Sequence, residues 1–441
     1  MSSTLLRFNT AIQTCPFDGA GVEPQTLCEV PRVDGSAARF VVPTRLAALL
    51  REFDGTRATD EVARAAEARG GLSAADVHKL VDGFLVPRGI LAPVGAEAAP
   101  LPAKKADRLS YLTLRMRLLP PSVVTPLARL VGWTFSRPAF AAGLVLIAAA
   151  HLLFWLKLAP EHGLGFQQVR GPRFGAILGL MVASTFLHEL GHAAAAAWLG
   201  CRRLEIGWGM YYYMTVLYTD LSEAWRLPRK QRALIDVGGI YFQALFAAAL
   251  LGVFASTGSA VPLYVFLATD LAIASSLNPF FKMDGYWLMS DVLGIPNLHA
   301  RTAGLPRWVF LRLFGRGRVR PEPLPLSRGA LAVLLAYSGV GLAFFVFTFH
   351  FVFQRLLMAV AVTYPAALRG VWTALGPFHL VALGSALLSV SWRTLVLIGT
   401  VKFTYHFVVR LGSMLLGLAR AARAVWREVR PRQAQASQRA G

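Results

Sequence analysis

Cysteine is nearly absent. Three residues in 441, Cys15, Cys28 and Cys201, stand far apart and form no C-x-x-C pair. That spacing argues against a disulfide framework and against a cysteine-built zinc site. Acidic side chains are scarce too: 24 Asp and Glu face 45 Lys and Arg, a net charge of +21. The excess is mostly arginine, clustered between apolar runs and in the tail, where the positive-inside rule and anionic headgroups account for it. No nucleic-acid-binding motif accompanies it, so no nucleic-acid partner is expected. There is no P-loop, no Gly-rich nucleotide fingerprint and no internal repeat. No early hydrophobic core opens the chain either, so no signal peptide is expected and residues 1 to about 100 read as cytosolic.

Apolar side chains, by contrast, make up 55% of the chain, and the mean hydropathy is +0.50. Several runs reach the roughly 20 residues that a helix needs to cross a bilayer. The expected fold is mainly α, a polytopic membrane protein with about six transmembrane helices and small soluble additions. Spans are expected over 138–156, 174–199, 233–255, 262–277 and 329–353, and two weaker ones over 371–390 and 394–418. The last carries Lys402, His406 and Arg410 at helical spacing. A basic tail that stays cytosolic requires an even number of crossings, which favours six spans plus an interfacial or re-entrant segment.

Before the first span, residues 1–30 read as an extension and residues 31–93 as a small α/β unit. A strand at Ala38–Val42 precedes a helix from Thr44 to Phe53. A Phe53-Asp54-Gly55-Thr56 turn follows, then helices capped by Thr59 and Ser73, and a returning strand at Arg88–Leu91. Strand, three helices and strand suggest a winged helix. Residues 94–137 read as a linker and an interfacial segment, since Leu109–Leu130 alternates apolar residues with Arg115, Arg117 and Arg129. Leu204–Tyr218, rich in aromatic and β-branched residues, reads either as a short membrane-associated β-hairpin or as an aromatic belt. Residues 138–291 form the expected core, 292–419 a cytoplasmic loop with further membrane helices, and 420–441 a basic cytoplasmic tail.

The chemistry concentrates in the second span, at His188-Glu189-Leu190-Gly191-His192, an H-E-x-x-H motif. On a helix, residues four apart share a face, so the two imidazoles can share one Zn²⁺ ion. Glu189 beside them can take a proton from a metal-activated water without being a ligand. A carboxylate and two imidazoles amid alanines and lipid-facing residues are costly unless they act. A third ligand is expected where a proline breaks a helix at membrane depth, at Asn278-Pro279-Phe280-Phe281-Lys282-Met283-Asp284-Gly285. Asp284 is the first choice, with Asp291 and His299 as rivals.

The pair of motifs, His188-Glu189-Leu190-Gly191-His192 and Asn278-Pro279…Asp284-Gly285, resembles the site-2 protease family of intramembrane zinc metallopeptidases, over about residues 174–291. The resemblance implies zinc on His188, His192 and Asp284, Glu189 as general base, and Asn278, Pro279 and Gly285 at the substrate. Two departures stand out: Lys282-Met283 replaces the usual proline-leucine pair, and Gly238-Gly239-Ile240 with Gln243 replaces a Gly-Pro and an Asn. In these respects the chain is more similar to the peptide zinc metalloprotease branch. Arg39-Phe40-Val41-Val42, the Phe53–Thr56 turn and Phe84–Leu91 likewise resemble a leader-peptide-recognition domain such as the chaperone of pyrroloquinoline quinone synthesis. In that family an extended peptide adds to a strand edge. The implied function is hydrolysis of a membrane-associated or ribosomally made precursor peptide at the cytoplasmic membrane, with export or peptide-modification proteins as further partners. The rival readings are a non-catalytic leader-peptide receptor or export partner, and a regulatory protease of a membrane-anchored anti-sigma factor.

Overall fold

The 26-residue apolar run Arg137–His162 and the 29-residue run Arg229–Thr257 have no choice but to be helical at membrane depth, because only a helix satisfies its own backbone there. In the computed structural model both are. The structure describes residues 5–19, 23–33, 37–95, 112–163, 172–211, 214–296, 298–315, 326–351, 358–375 and 380–439. Most of the linker expected after residue 93, Tyr212 and Tyr213, residues 316–325 of the arginine-rich loop and residues 376–379 of an expected span lie outside them. The chain divides into two compact units, residues 1–107 with 223–229, and residues 108–222 with 230–441.

The first unit contains β1 (Leu5–Phe8), β2 (Gln13–Phe17), β3 (Gln25–Pro31), β4 (Ala37–Pro43), α1 (Thr44–Leu50), β5 (Asp54–Ala58), α2 (Thr59–Ala68), α3 (Ala74–Leu80) and β6 (Leu91–Pro93). Two antiparallel sheets result, in the orders β5-β1-β6 and β2-β3-β4. Residues 1–30 are therefore more than an extension. Leu6, Ile12, Cys28 and Val30 enter the same core as Phe53, Val62 and Leu85. The expected Phe53–Thr56 turn instead opens β5, where Asp54 Oδ1 accepts from the Thr56 amide (2.8 Å) and hydroxyl (2.6 Å). Residues 223–229 close this unit. Trp225 stacks on Phe17 at 6.1 Å, and the buried Glu29 carboxylate accepts from Arg39 Nε and Arg226 Nε, both at 2.8 Å.

The second unit begins with β7 (Leu112–Leu119) and α4 (Pro121–Val131). The expected interfacial segment is a strand followed by a helix. Its alternation of Leu114, Met116 and Leu118 with arginines has period two, and Pro121 starts a helix in its first turn. β7 pairs antiparallel with β8 (Ile206–Tyr211), which forms a two-residue hairpin with β9 (Met214–Thr219), in the order β7-β8-β9. The hairpin reading of Leu204–Tyr218 thus describes the backbone, with a third strand added.

α5 (Arg137–Leu153) continues through a π turn into α6 (Ala159–His162). α7 (Pro172–Trp198), α8 (Arg229–Thr257), α9 (Val261–Ser276) and α10 (Asp284–Leu293) follow. Beyond them come α11 (Leu298–Phe314), α12 (Arg328–Phe351), α13 (Met358–Leu375) and α14 (Leu380–Arg439). The protein is mostly helical, and among the described residues five helices are long and apolar enough to cross a membrane, compatible with a multi-pass membrane protein. α9, expected as a span, has 16 residues, about 24 Å at 1.5 Å per residue, short of a ~30 Å hydrocarbon core. The expected span over 371–390 straddles the junction of α13 and α14. The expected loop over 296–327 contains α11, whose Leu298, Thr302, Leu305 and Leu311 are buried at helical spacing.

α7 and α8 touch main chain to main chain. A Cβ on Gly191 would lie 2.3 Å from the Gly238 carbonyl oxygen, and one on Gly238 would lie 2.7 Å from that of Gly191. Small residues permit this approach, and it brings the H-E-x-x-H turn against the first half of α8.

Candidate metal centre

The i, i+4 spacing on α7 sets His188 and His192 one turn apart, with their Nε2 atoms 3.1 Å from each other. Both side chains are buried, as is Glu189. The outer ring nitrogens are engaged by α8. His192 Nδ1 lies 2.7 Å from the Ile235 carbonyl oxygen, and His188 Nδ1 lies 3.1 Å from Gln243 Oε1. A carbonyl oxygen can only accept, so each Nδ1 carries the hydrogen and each Nε2 presents its lone pair inward. Gln243 is itself oriented by donating from Nε2 to Ser184 Oγ at 3.2 Å. Between Ile235 and Gln243, Gly239 lets α8 pass the imidazoles. A Cβ there would meet His192 Nε2 at 2.5 Å and His188 Nε2 at 2.8 Å.

The third donor arrives from the break after α9. Asn278 Oδ1 accepts from the Phe280 amide at 3.0 Å, the Pro279 carbonyl accepts from the Tyr337 hydroxyl at 2.6 Å, and the Lys282 amide donates to the Tyr211 hydroxyl at 3.0 Å. These bonds hold the chain out of helix until Asp284 starts α10. Gly285 makes the re-entry possible, since a Cβ there would lie 2.1 Å from the Leu277 carbonyl oxygen. Asp284 Oδ2 then stands 2.9 Å from His188 Nε2, and Oδ1 stands 3.4 Å from His192 Nε2. Of the two rivals, Asp291 is bonded to Arg232 Nε at 2.7 Å, and the His299 ring packs on Tyr286 at 4.4 Å.

No family model, characterised protein or solved structure matches the chain. The site must be judged on its own chemistry.

That chemistry favours a cation. Two imidazole lone pairs and a carboxylate converge within 3.4 Å, an arrangement that repels itself unless a positive centre sits among them. The separations of 2.9–3.4 Å bracket the ~3.3 Å edge of a tetrahedron with 2.0–2.1 Å bonds. Among the described residues, His188, His192 and Asp284 are the one group of three or more such donors placed to hold a metal ion. The donor set therefore fits a three-ligand site with a position left for water or substrate.

Three participants carry no motif in the sequence. The Ile235 carbonyl acts on His192, and Ser184 acts on Gln243. The Thr219 hydroxyl, at the end of β9, lies 2.7 Å from Glu189 Oε2 and 3.0 Å from the Glu189 carbonyl oxygen. Gln243 was visible only as a departure from the family pattern. Nearby, a cavity of about 100 Å³ is walled by Tyr211, Phe280, Phe281, Tyr337, Ser338 and Phe403, among others.

Proposed function

We infer that the chain is an intramembrane zinc-dependent endopeptidase. The observation that carries this reading is the convergence of His188, His192 and Asp284 on one point, with the Glu189 carboxylate held on the same helix turn. Zinc held by the two Nε2 atoms and an Asp284 oxygen would supply Lewis acidity, making water a nucleophile near neutral pH and polarising a carbonyl.

The remaining work falls to the chain itself. The Thr219 hydroxyl donates to Glu189 Oε2, which holds in place the carboxylate that would act as the base. Glu189 takes a proton as the water oxygen bonds to the peptide carbon. It then returns that proton to the departing nitrogen as the C–N bond breaks. The buried surroundings strengthen each of these interactions.

A transmembrane helix hides its carbonyls in hydrogen bonds, so the substrate must be extended at the cut. β9 is an edge strand that ends at Thr219, which favours strand addition beside the base. The apolar cavity suits one large substrate side chain. A membrane-associated or ribosomally made precursor peptide fits best, selected by the first unit in the manner of leader-recognition domains. The arginine distribution favours a cytoplasmic first unit and tail.

The test compares peptides from cells, or from purified protein in nanodiscs, carrying wild-type or Glu189→Gln forms. The variant is expected to retain about one zinc per chain and to lose cleavage by at least ~10²-fold. Unchanged cleavage would remove Glu189 as base. Bound zinc with no processing by the wild type would point to a receptor instead. Cleavage that survives deletion of the first unit would point to a regulatory protease with a transmembrane substrate.

A further inference from the structure

α8 carries a stripe that runs past the centre: Arg232, Asp236, Gly239 and Gln243 recur at i, i+4, i+7 and i+11, one face of the helix. The last two touch the histidines. Arg232, the first of them, turns to α10, where its Nε donates to Asp291 Oδ1 at 2.7 Å. Arg232 is buried, and a buried ion pair of this kind holds its two ends in one geometry.

Asp291 lies seven residues after Asp284, two turns along the same face of α10. α10 has only ten residues and follows the irregular stretch after α9, so the lead-in alone does not fix its rotation about its own axis. A pin two turns down does. The same turn of α8 also contains Ile235, whose carbonyl holds His192.

We propose that Arg232 and Asp291 are positioning residues that aim the Asp284 carboxylate at the two histidines, so that the third metal ligand is set by a buried tie between α8 and α10. This rests on the metal-centre reading but not on peptide hydrolysis.

The experiment uses the full-length protein in nanodiscs, loaded with Co²⁺ as a spectroscopic stand-in and titrated with Zn²⁺ against a chelator. Asp291→Leu and Arg232→Leu, which break the tie, are each expected to weaken zinc binding by about 10- to 100-fold, as outer contacts of metal ligands do. The visible Co²⁺ spectrum of each should shift toward that of Asp284→Asn, because the carboxylate ligand is what they misplace. The double variant Arg232→Gln/Asp291→Asn, which restores a neutral hydrogen-bonded tie, should recover most of the loss.

Wild-type affinity and spectrum in both single variants would overturn the proposal while leaving the metal centre intact. A loss that the double variant does not recover, or a Co²⁺ spectrum unlike that of Asp284→Asn, would assign the effect to core damage and overturn it equally. Failure of the wild type itself to bind zinc or cobalt would remove the centre, and the tie's role with it.

Discussion

Gly239 is the residue at which the centre is least forgiving. Alanine there would place a methyl group within 2.8 Å of both inward-facing ring nitrogens, in the space the ligands share. Gly239→Ala is expected to lower zinc affinity at least ~10-fold with helix content unchanged, by equilibrium dialysis and circular dichroism. Gln243→Leu should cost a similar 10- to 100-fold, since His188 Nδ1 would lose its acceptor, whereas Gln243→Glu should bind zinc nearly as well as wild type. Equal affinity across the three would show that the outer ring nitrogens do not matter. At this scale the sequence was readable where helical period alone decides: His188 and His192 had to share a face. Asp284 was readable as well, because Pro279 and Gly285 advertise a break. The acceptors on the outer nitrogens were not, because a backbone carbonyl such as that of Ile235 leaves no trace in residue type.

Among the elements, the β7-β8-β9 sheet is the one that a substrate strand would use. Just past the Ile206–Thr219 pair, the Asp220 amide donates to the Glu205 carbonyl at 3.0 Å, a hydrogen-bonded pair between the two chains. Counting along β9 from that pair, Thr215, Leu217 and Thr219 turn their amides to the open edge. Leu217→Pro therefore removes one outward donor without touching the β8 ladder, a position where edge strands tolerate proline. Cleavage is expected to fall about tenfold, roughly one hydrogen bond, with zinc content unchanged. A peptide assay with a metal analysis of the same preparation checks both, and undiminished cleavage would rule out strand addition at this edge. β7 itself escaped the sequence reading because its arginines, alternating with leucine and methionine, mimic an interfacial segment. α9 has the composition expected of a span, and its helix runs for 16 residues, ending at Ser276.

Across the whole molecule, the proposed cytoplasmic orientation of the first unit and tail rests on arginine. Arg202, Arg203 and Arg226 follow α7, while Arg420, Arg423 and Arg427 lie late in α14. Single cysteines placed at the exposed Arg203 and Arg423 positions, in a background cleared of Cys15, Cys28 and Cys201, are expected to be shielded from an impermeant maleimide in intact cells and labelled after lysis. Labelling of either in intact cells would reverse the assigned orientation.

The backbone contact of Gly191 with Gly238 also bears on how such a protein can change over time. Because the donor cage is anchored where two main chains meet, the exposed flanks of α7 and α8 can exchange apolar residues without disturbing it. The tightest constraint falls on Gly191, Gly238 and Gly239, positions that have no side chain to vary. A lineage could thus replace those flanks and keep the cage, yet lose it through the gain of a single methyl group.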